Sequence, residues 1–284
     1  MLSVPVQYTL DMLTIDFKVS SYGVQKIFDL LMSPGYDNRY GEFNYWNSSA
    51  VSKFKHNFVF EVSREEHYFM GVQANWMTPS QYNTYVRLEF NPAKLFACHE
   101  FYNFHRYLIS AAIHVDVKKF DLAIDIPVPR EDCFMFKDQR VESMRKYSES
   151  NKTNYLGLRG DHGNVKLYNK QLESNLPYPL TRLEITMDYE HITELEFQSV
   201  FPKVLFFDSG QMKLDDTAYD GVDRVLLLAC LEHPEYLSML HYRKRKKIEC
   251  ILGEYTHTLE PDMNKYRHIL SEILKYCKPF DVPV

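Results

Sequence analysis

Leu180-Thr181-Arg182-Leu183-Glu184-Ile185-Thr186 alternates polar and apolar side chains from Arg182 onward. Strand side chains point to opposite faces with a period of two, so the stretch reads as a β-strand with Arg182 and Glu184 on one face. An earlier stretch, Tyr85-Val86-Arg87-Leu88-Glu89-Phe90-Asn91, repeats it with Arg87 and Glu89 in the matching places. A second pair stands in the same order: Leu13-Thr14-Ile15-Asp16 and Leu122-Ala123-Ile124-Asp125. In each half the two segments lie roughly 55 to 70 residues apart, and two matches in one order imply a duplicated α+β unit.

The runs around these segments extend the pattern. Leu13 to Val19, Phe43 to Trp46, Phe58 to Val62, Phe69 to Ala74 and Thr84 to Phe90 read as strands in the first half. Phe120 to Ile126, Tyr155 to Gly157, Asn164 to Asn169 and Leu180 to Met187 read as strands in the second. Helices are expected at Val24 to Met32, from Asn91-Pro92 to Ile113, at Ile192 to Leu205, Asp223 to Leu231, Tyr236 to Leu252 and Lys265 to Lys275, with a helix or a loop over Glu131 to Arg145. The tail from Lys278 reads as extended. The fold expected is α+β: an internally duplicated unit of antiparallel sheet with packed helices, followed by a C-terminal helical region. Its boundaries are 1–115, 116–232 and 233–284.

Bulk properties bound the partners. The chain has 284 residues, enough for one large domain or two smaller ones with a real core. A net charge of -5 and a pI near 6.1 do not give a whole-chain field that attracts nucleic acid, so any such contact must come from a local basic patch. Arg243-Lys244-Arg245-Lys246-Lys247 is one, read either as a solvated helix face or as a phosphate contact. Aromatics reach 15%, with 21 Tyr and 19 Phe, which suits a tyrosine-rich sheet core or stacking on bases. Five cysteines (98, 133, 230, 250 and 277) form no CxxC pair, which points to a reducing, cytoplasmic setting rather than disulfides or zinc. No signal peptide is evident at the N-terminus, and no apolar run is long enough to span a membrane.

Chemistry concentrates in Gly163-Asn164-Val165-Lys166-Leu167-Tyr168-Asn169-Lys170-Gln171-Leu172-Glu173. As a strand it places Lys166, Tyr168 and Lys170 on one face. The lysines attract phosphate oxygens, and a phenol can attack phosphorus to give a covalent intermediate. Lys119-Phe120-Asp121-Leu122-Ala123-Ile124-Asp125-Ile126 puts Asp121 and Asp125 on one face of another strand, where two carboxylates repel unless a cation joins them. Asp121, Asp125 and Glu184 could hold Mg²⁺ or Mn²⁺ if their strands are neighbours. Each feature also has a structural use: Arg182 and Glu184 can pair across strands, and a strand tyrosine can simply pack. The first half has no counterpart of Lys166 to Lys170 and is expected to be the inert copy. There is no P-loop, GxGxxG, GxSxG or HExxH, and no paired-histidine motif.

The block Val-Lys-Leu-Tyr-Asn-Lys-Gln-Leu-Glu resembles the active-site signature of the Rep_trans family, the rolling-circle plasmid replication initiators of Gram-positive bacteria, with relaxases of integrative elements as relatives. That signature is a basic residue, an aliphatic one, then Tyr-Asn-Lys-Lys-x-Glu; Gln171 replaces its second lysine. Phe-Asp-Leu-Ala-Ile-Asp and Thr-Arg-Leu-Glu also look like family blocks. The resemblance implies that Tyr168 nicks one strand at a hairpin in a double-strand origin and becomes linked to the 5′ phosphate. It further implies Lys166, Lys170 and Arg182 as catalytic neighbours, and Asp121, Asp125 and Glu184 as ligands of Mg²⁺ or Mn²⁺. Origin contacts through Arg243 to Lys247, a homodimer and a host replicative helicase as partner follow from it too. A conjugative relaxase of the same chemistry and a non-catalytic origin-binding protein are the alternatives.

Overall fold

The structure is a computed structural model that describes residues 6–20, 22–23, 26–27, 42–47, 56–63, 66–73, 85–95, 99–146, 152–207, 221–232 and 236–278. The chain divides into two compact units. The first comprises Leu10–Leu122, Asp188–Glu190 and Asn264–Val284; the second comprises Met1–Thr9, Ala123–Met187 and His191–Met263.

Five strands build the first unit: β1 (Gln7–Lys18), β2 (Glu42–Asn47), β3 (His56–Ser63), β4 (Glu66–Gln73) and β5 (Tyr85–Phe90). Their order is β2-β3-β4-β5-β1, antiparallel throughout. Leu13, Ile15 and Phe17 alternate along β1 and face Phe90, Leu88 and Val86 of β5, all fully buried. A slip of one residue would turn this row away from the core, so the apolar alternation itself fixes the register. Helix His99–Ala111 lays Phe101, Phe104, His105 and Leu108 on that row, at the i, i+3, i+4, i+7 spacing of a core-facing stripe. Helix Met263–Ile273 adds Tyr266, Ile269 and Ile273 to the same core.

His105 is enclosed by rings. Phe17, Phe90 and Tyr276 lie with centroids 5.9, 5.6 and 6.5 Å from its own. Burial disfavours the imidazolium and pushes the pKa down to about 4. A depressed folded-state pKa gives stability that is present above about 6.5 and lost as pH falls toward 4. The gap of about 2.5 units corresponds to about 3 kcal/mol. Urea midpoints should therefore fall over this window, and His105→Phe should remove that part of the acid slope. An equal slope in the variant would rule His105 out as its source.

The second unit takes up the chain inside β6 (His114–Ile126). It continues with β7 (Cys133–Met135), β8 (Glu142–Lys146), β9 (Lys152–Leu156), β10 (Val165–Asn169), β11 (Thr181–Asp188), β12 (Val204–Phe207) and β13 (Thr256–Thr258). Its main sheet runs β8-β9-β10-β11-β6. The order repeats that of the first unit: an opening strand, then a four-strand meander whose last member pairs with the opener. Val165, Leu167, Leu183, Ile185, Ile124 and Ile126 fill the buried face. A small sheet, β13-β12-β7, and helices Gly221–Glu232 and Tyr242–Tyr255 close a satellite core of Leu227, Cys230, Ile248 and Ile251.

Several elements differ from the sequence expectation. Residues 131–145 are not a helix. A 3-10 turn, Arg130–Asp132, leads into β7, whose pairing with β12 overrides the helical pattern, and then into β8. The helix expected to reach Leu205 spans Glu194–Val200 only. Pro202 disfavours helical backbone at Phe201, and the chain extends into β12. Of the run from Asn91, Pro92–Leu95 and His99–Ala111 are helical, and the run from Tyr236 forms two helices, Tyr236–Met239 and Tyr242–Tyr255. The helix expected at Val24 to Met32 and the tail beyond Lys278 lie largely outside the described residues. Among the described residues no helix is long and apolar enough to cross a membrane.

Candidate functional site

The second unit's main sheet carries its charge on the face opposite the apolar rows. Arg182 and Glu184 stand on β11, Lys166 and Tyr168 on β10, and Asp125 near the end of β6. The register sets Lys166 opposite Glu184 and Tyr168 opposite Arg182. Glu184 is 5% exposed and accepts two bonds. Lys166 Nζ lies 2.5 Å from its Oε2, and the Tyr168 hydroxyl donates to its Oε1 at 2.5 Å. Arg182 clasps Asp125 with two parallel bonds, Nε to Oδ1 at 2.6 Å and Nη2 to Oδ2 at 2.8 Å. Such a fork fixes both groups in one plane.

Burial, and then the neighbouring Glu184 carboxylate, hold the Tyr168 phenol far above its ordinary pKa; Arg182 pulls weakly the other way. The phenol thus rests protonated, with its proton directed at a carboxylate.

Lys170 is not on the strand. Asn169 ends β10, and its side chain accepts from Leu172 N at 2.9 Å, capping a single turn, Lys170–Glu173. Lys170 pairs within that turn with Glu173. Glu173 was not singled out as a site residue, yet its charge acts on Tyr168 and feels Arg182. The signature's terminal glutamate was the available signal.

The carboxylates expected to share a cation are not gathered. Asp121 falls in the first unit, where its charge acts on Glu89. Four residues along one strand separate it from Asp125 by about 13 Å. Asp125 has both oxygens on Arg182, and Glu184 has both on Lys166 and Tyr168. Among the described residues no group of three or more His, Cys, Asp or Glu is placed to hold a metal ion. As arranged, this donor set does not fit a resident Mg²⁺ or Mn²⁺.

The first unit supplies an internal comparison. Arg87 clasps Asp16 with the same fork, at 2.7 and 2.8 Å. Aligning Arg87 with Arg182 through the register makes Gly71 the counterpart of Tyr168 and Phe69 that of Lys166. The clasp is duplicated; the phenol and the ammonium are not. No family model and no curated protein matches the chain. A solved structure does: the chain is similar to the rolling circle replication initiator protein from Geobacillus stearothermophilus. The identity is 14% and the TM-score 0.37, over 95% of this chain and 97% of that one.

The basic run lies on helix Tyr242–Tyr255, and its cations turn to different neighbours. Lys244 and Lys247 turn to the enclosed Asp223, whose carboxyl they hold below its usual range. Arg245 approaches Glu249 at 3.8 Å and the Tyr242 ring at 5.9 Å. Arg243 and Lys246 are exposed. Successive helix positions turn by about 100°, so five consecutive cations cannot share one face.

Proposed function

We propose that this chain nicks and rejoins one strand of DNA through Tyr168, as a rolling-circle replication initiator does at a plasmid origin. The observation that carries the reading is the half-buried phenol bonded to Glu184 beside Lys166, on an otherwise duplicated sheet. The phenol oxygen attacks phosphorus while its proton passes to Glu184. A bond forms between Tyr168 and phosphorus, and the bond to the 3′ oxygen breaks, that oxygen taking a proton from water. Lys166 and Arg182 offset charge on the phosphoryl oxygens. The products are a 5′-phosphotyrosine and a free 3′-hydroxyl able to prime synthesis, and reversal reseals the strand without an external energy source. A homodimer, a host replicative helicase and cytoplasmic action belong to the same reading, with the exposed Arg243 and Lys246 meeting origin phosphates.

The test is a covalent one. Incubation of the chain with its native supercoiled plasmid or a hairpin oligonucleotide should yield an adduct that survives SDS and maps to Tyr168. Specific binding with no adduct would favour a non-catalytic origin-binding protein.

A further inference from the structure

A cleft of about 220 Å³ opens on β8, β9, β10 and the loop between the last two, beside the Tyr168 site. Arg145, Arg159 and Lys166 line it together with Tyr155, and no carboxylate does. Arg145 lies over the Tyr155 ring, 5.9 Å from its centroid. Neither Arg145 nor Arg159 has a carboxylate partner among the described residues. Tyr155 stands opposite Lys166 in the register, so the cleft ends on the ammonium that bonds Glu184.

The loop that carries Arg159 is built rather than slack. Gly157, Gly160 and Gly163 all take positive φ, at 84°, 82° and 73°. A Cβ on Gly163 would come within 2.9 Å of Val200. Buried Asn164 donates to the carbonyls of Leu156 and Gly157 at 3.0 and 3.2 Å. Arg140 donates from outside the cleft to those of Gly163 and Val200 at 2.7 and 2.8 Å. Two exposed cations without acidic partners, a ring beside one of them and a third cation at the reacting end make a site for consecutive phosphates with one base against the ring.

The geometry points to a single-strand track: Arg145 and Arg159 hold phosphates flanking the scissile one, and Tyr155 stacks a base of the same strand. This rests on the nicking reading for its direction, since Lys166 joins the two sites. Two inter-strand spacings, about 10 Å, separate β8 from β10, which is the span of a short oligonucleotide segment rather than of a duplex.

Fluorescence anisotropy of a labelled single-stranded oligonucleotide, titrated with the full chain carrying Tyr168→Phe so that nothing is cut, tests it. Adding Arg145→Gln and Arg159→Gln together should weaken binding at least about tenfold and reduce the slope of log affinity against log salt by about 1.4. Tyr155→Ala should weaken it about tenfold while Tyr155→Phe stays near the parent. Unchanged thermal unfolding would show that the variants fold. Unchanged affinity and slope, or equal affinity for a duplex of the same sequence, would overturn the track. Absence of an adduct from the chain with Tyr168 intact, with this dependence present, would instead remove the nicking reading and leave the cleft standing.

Discussion

Tyr168→Phe should lower formation of the covalent adduct by roughly four orders of magnitude or more, because among the described residues no other hydroxyl bonds the Glu184 carboxylate. The change is small in volume. The ring keeps its place on β10, and the cost in stability is about 1 kcal/mol for the lost bond to Glu184. Glu184 keeps Lys166, so no buried charge is stranded. Binding to DNA should remain close to that of the parent, which separates chemistry from recognition. Covalent product persisting in this variant would move the assignment to another tyrosine. The phenol also predicts an alkaline dependence. Its folded-state pKa is raised, so its stabilising contribution is complete below about pH 10 and declines as pH rises toward the folded-state value.

Asp125→Ala and Asp16→Ala should each destabilise their own unit by about 3 kcal/mol, since each removes two charge-assisted bonds from a largely buried guanidinium. Side-chain exposures are low in both clasps, 11% and 12% for Arg182 and Asp125, 23% and 11% for Arg87 and Asp16, with the second pair slightly more screened. The pair forms a matched experiment. A purely structural clasp predicts similar losses of thermal stability and near-parental nicking in both variants when assayed well below their unfolding temperatures. A selective fall in nicking for Asp125→Ala, beyond its stability effect, would show that the Asp125–Arg182 clasp takes part in the reaction.

Much of this architecture was legible because duplication repeats a pattern and a repeated pattern resists chance. The matching of Leu13–Asp16 with Leu122–Asp125, and of Arg87 with Arg182, is readable in the sequence; the Arg–Asp forks are not, because the sequence reading pairs Arg182 with Glu184 instead. Lys166 and Tyr168 were readable from alternation alone. Lys170 was not: the strand stops where Asn169 turns its side chain back onto Leu172, a local competition between cap and ladder that periodicity does not express. Asp121 and Asp125 stay apart for a reason of scale. Residues i and i+4 share a strand face yet stand too far apart to meet at one ion. The β7 and β8 segments were hidden because their pairing partners lie elsewhere in the chain, and tertiary pairing outranks local propensity. The pairing of the basic run with Asp223 is not readable from sequence adjacency, because Asp223 stands 21 and 24 positions before the lysines it binds.

The glycine at position 71 carries a consequence for stoichiometry under the proposed chemistry. Each chain has two units of one strand order but, among the described residues, a single phenol in the attacking register, so under that chemistry it stores one phosphodiester at a time. Opening a strand and later exchanging it for a second one requires two covalent bonds at overlapping times. That cycle demands a phenol from another polypeptide, whereas a simple open-and-reseal cycle does not. Doubling the sheet added surface without adding valence.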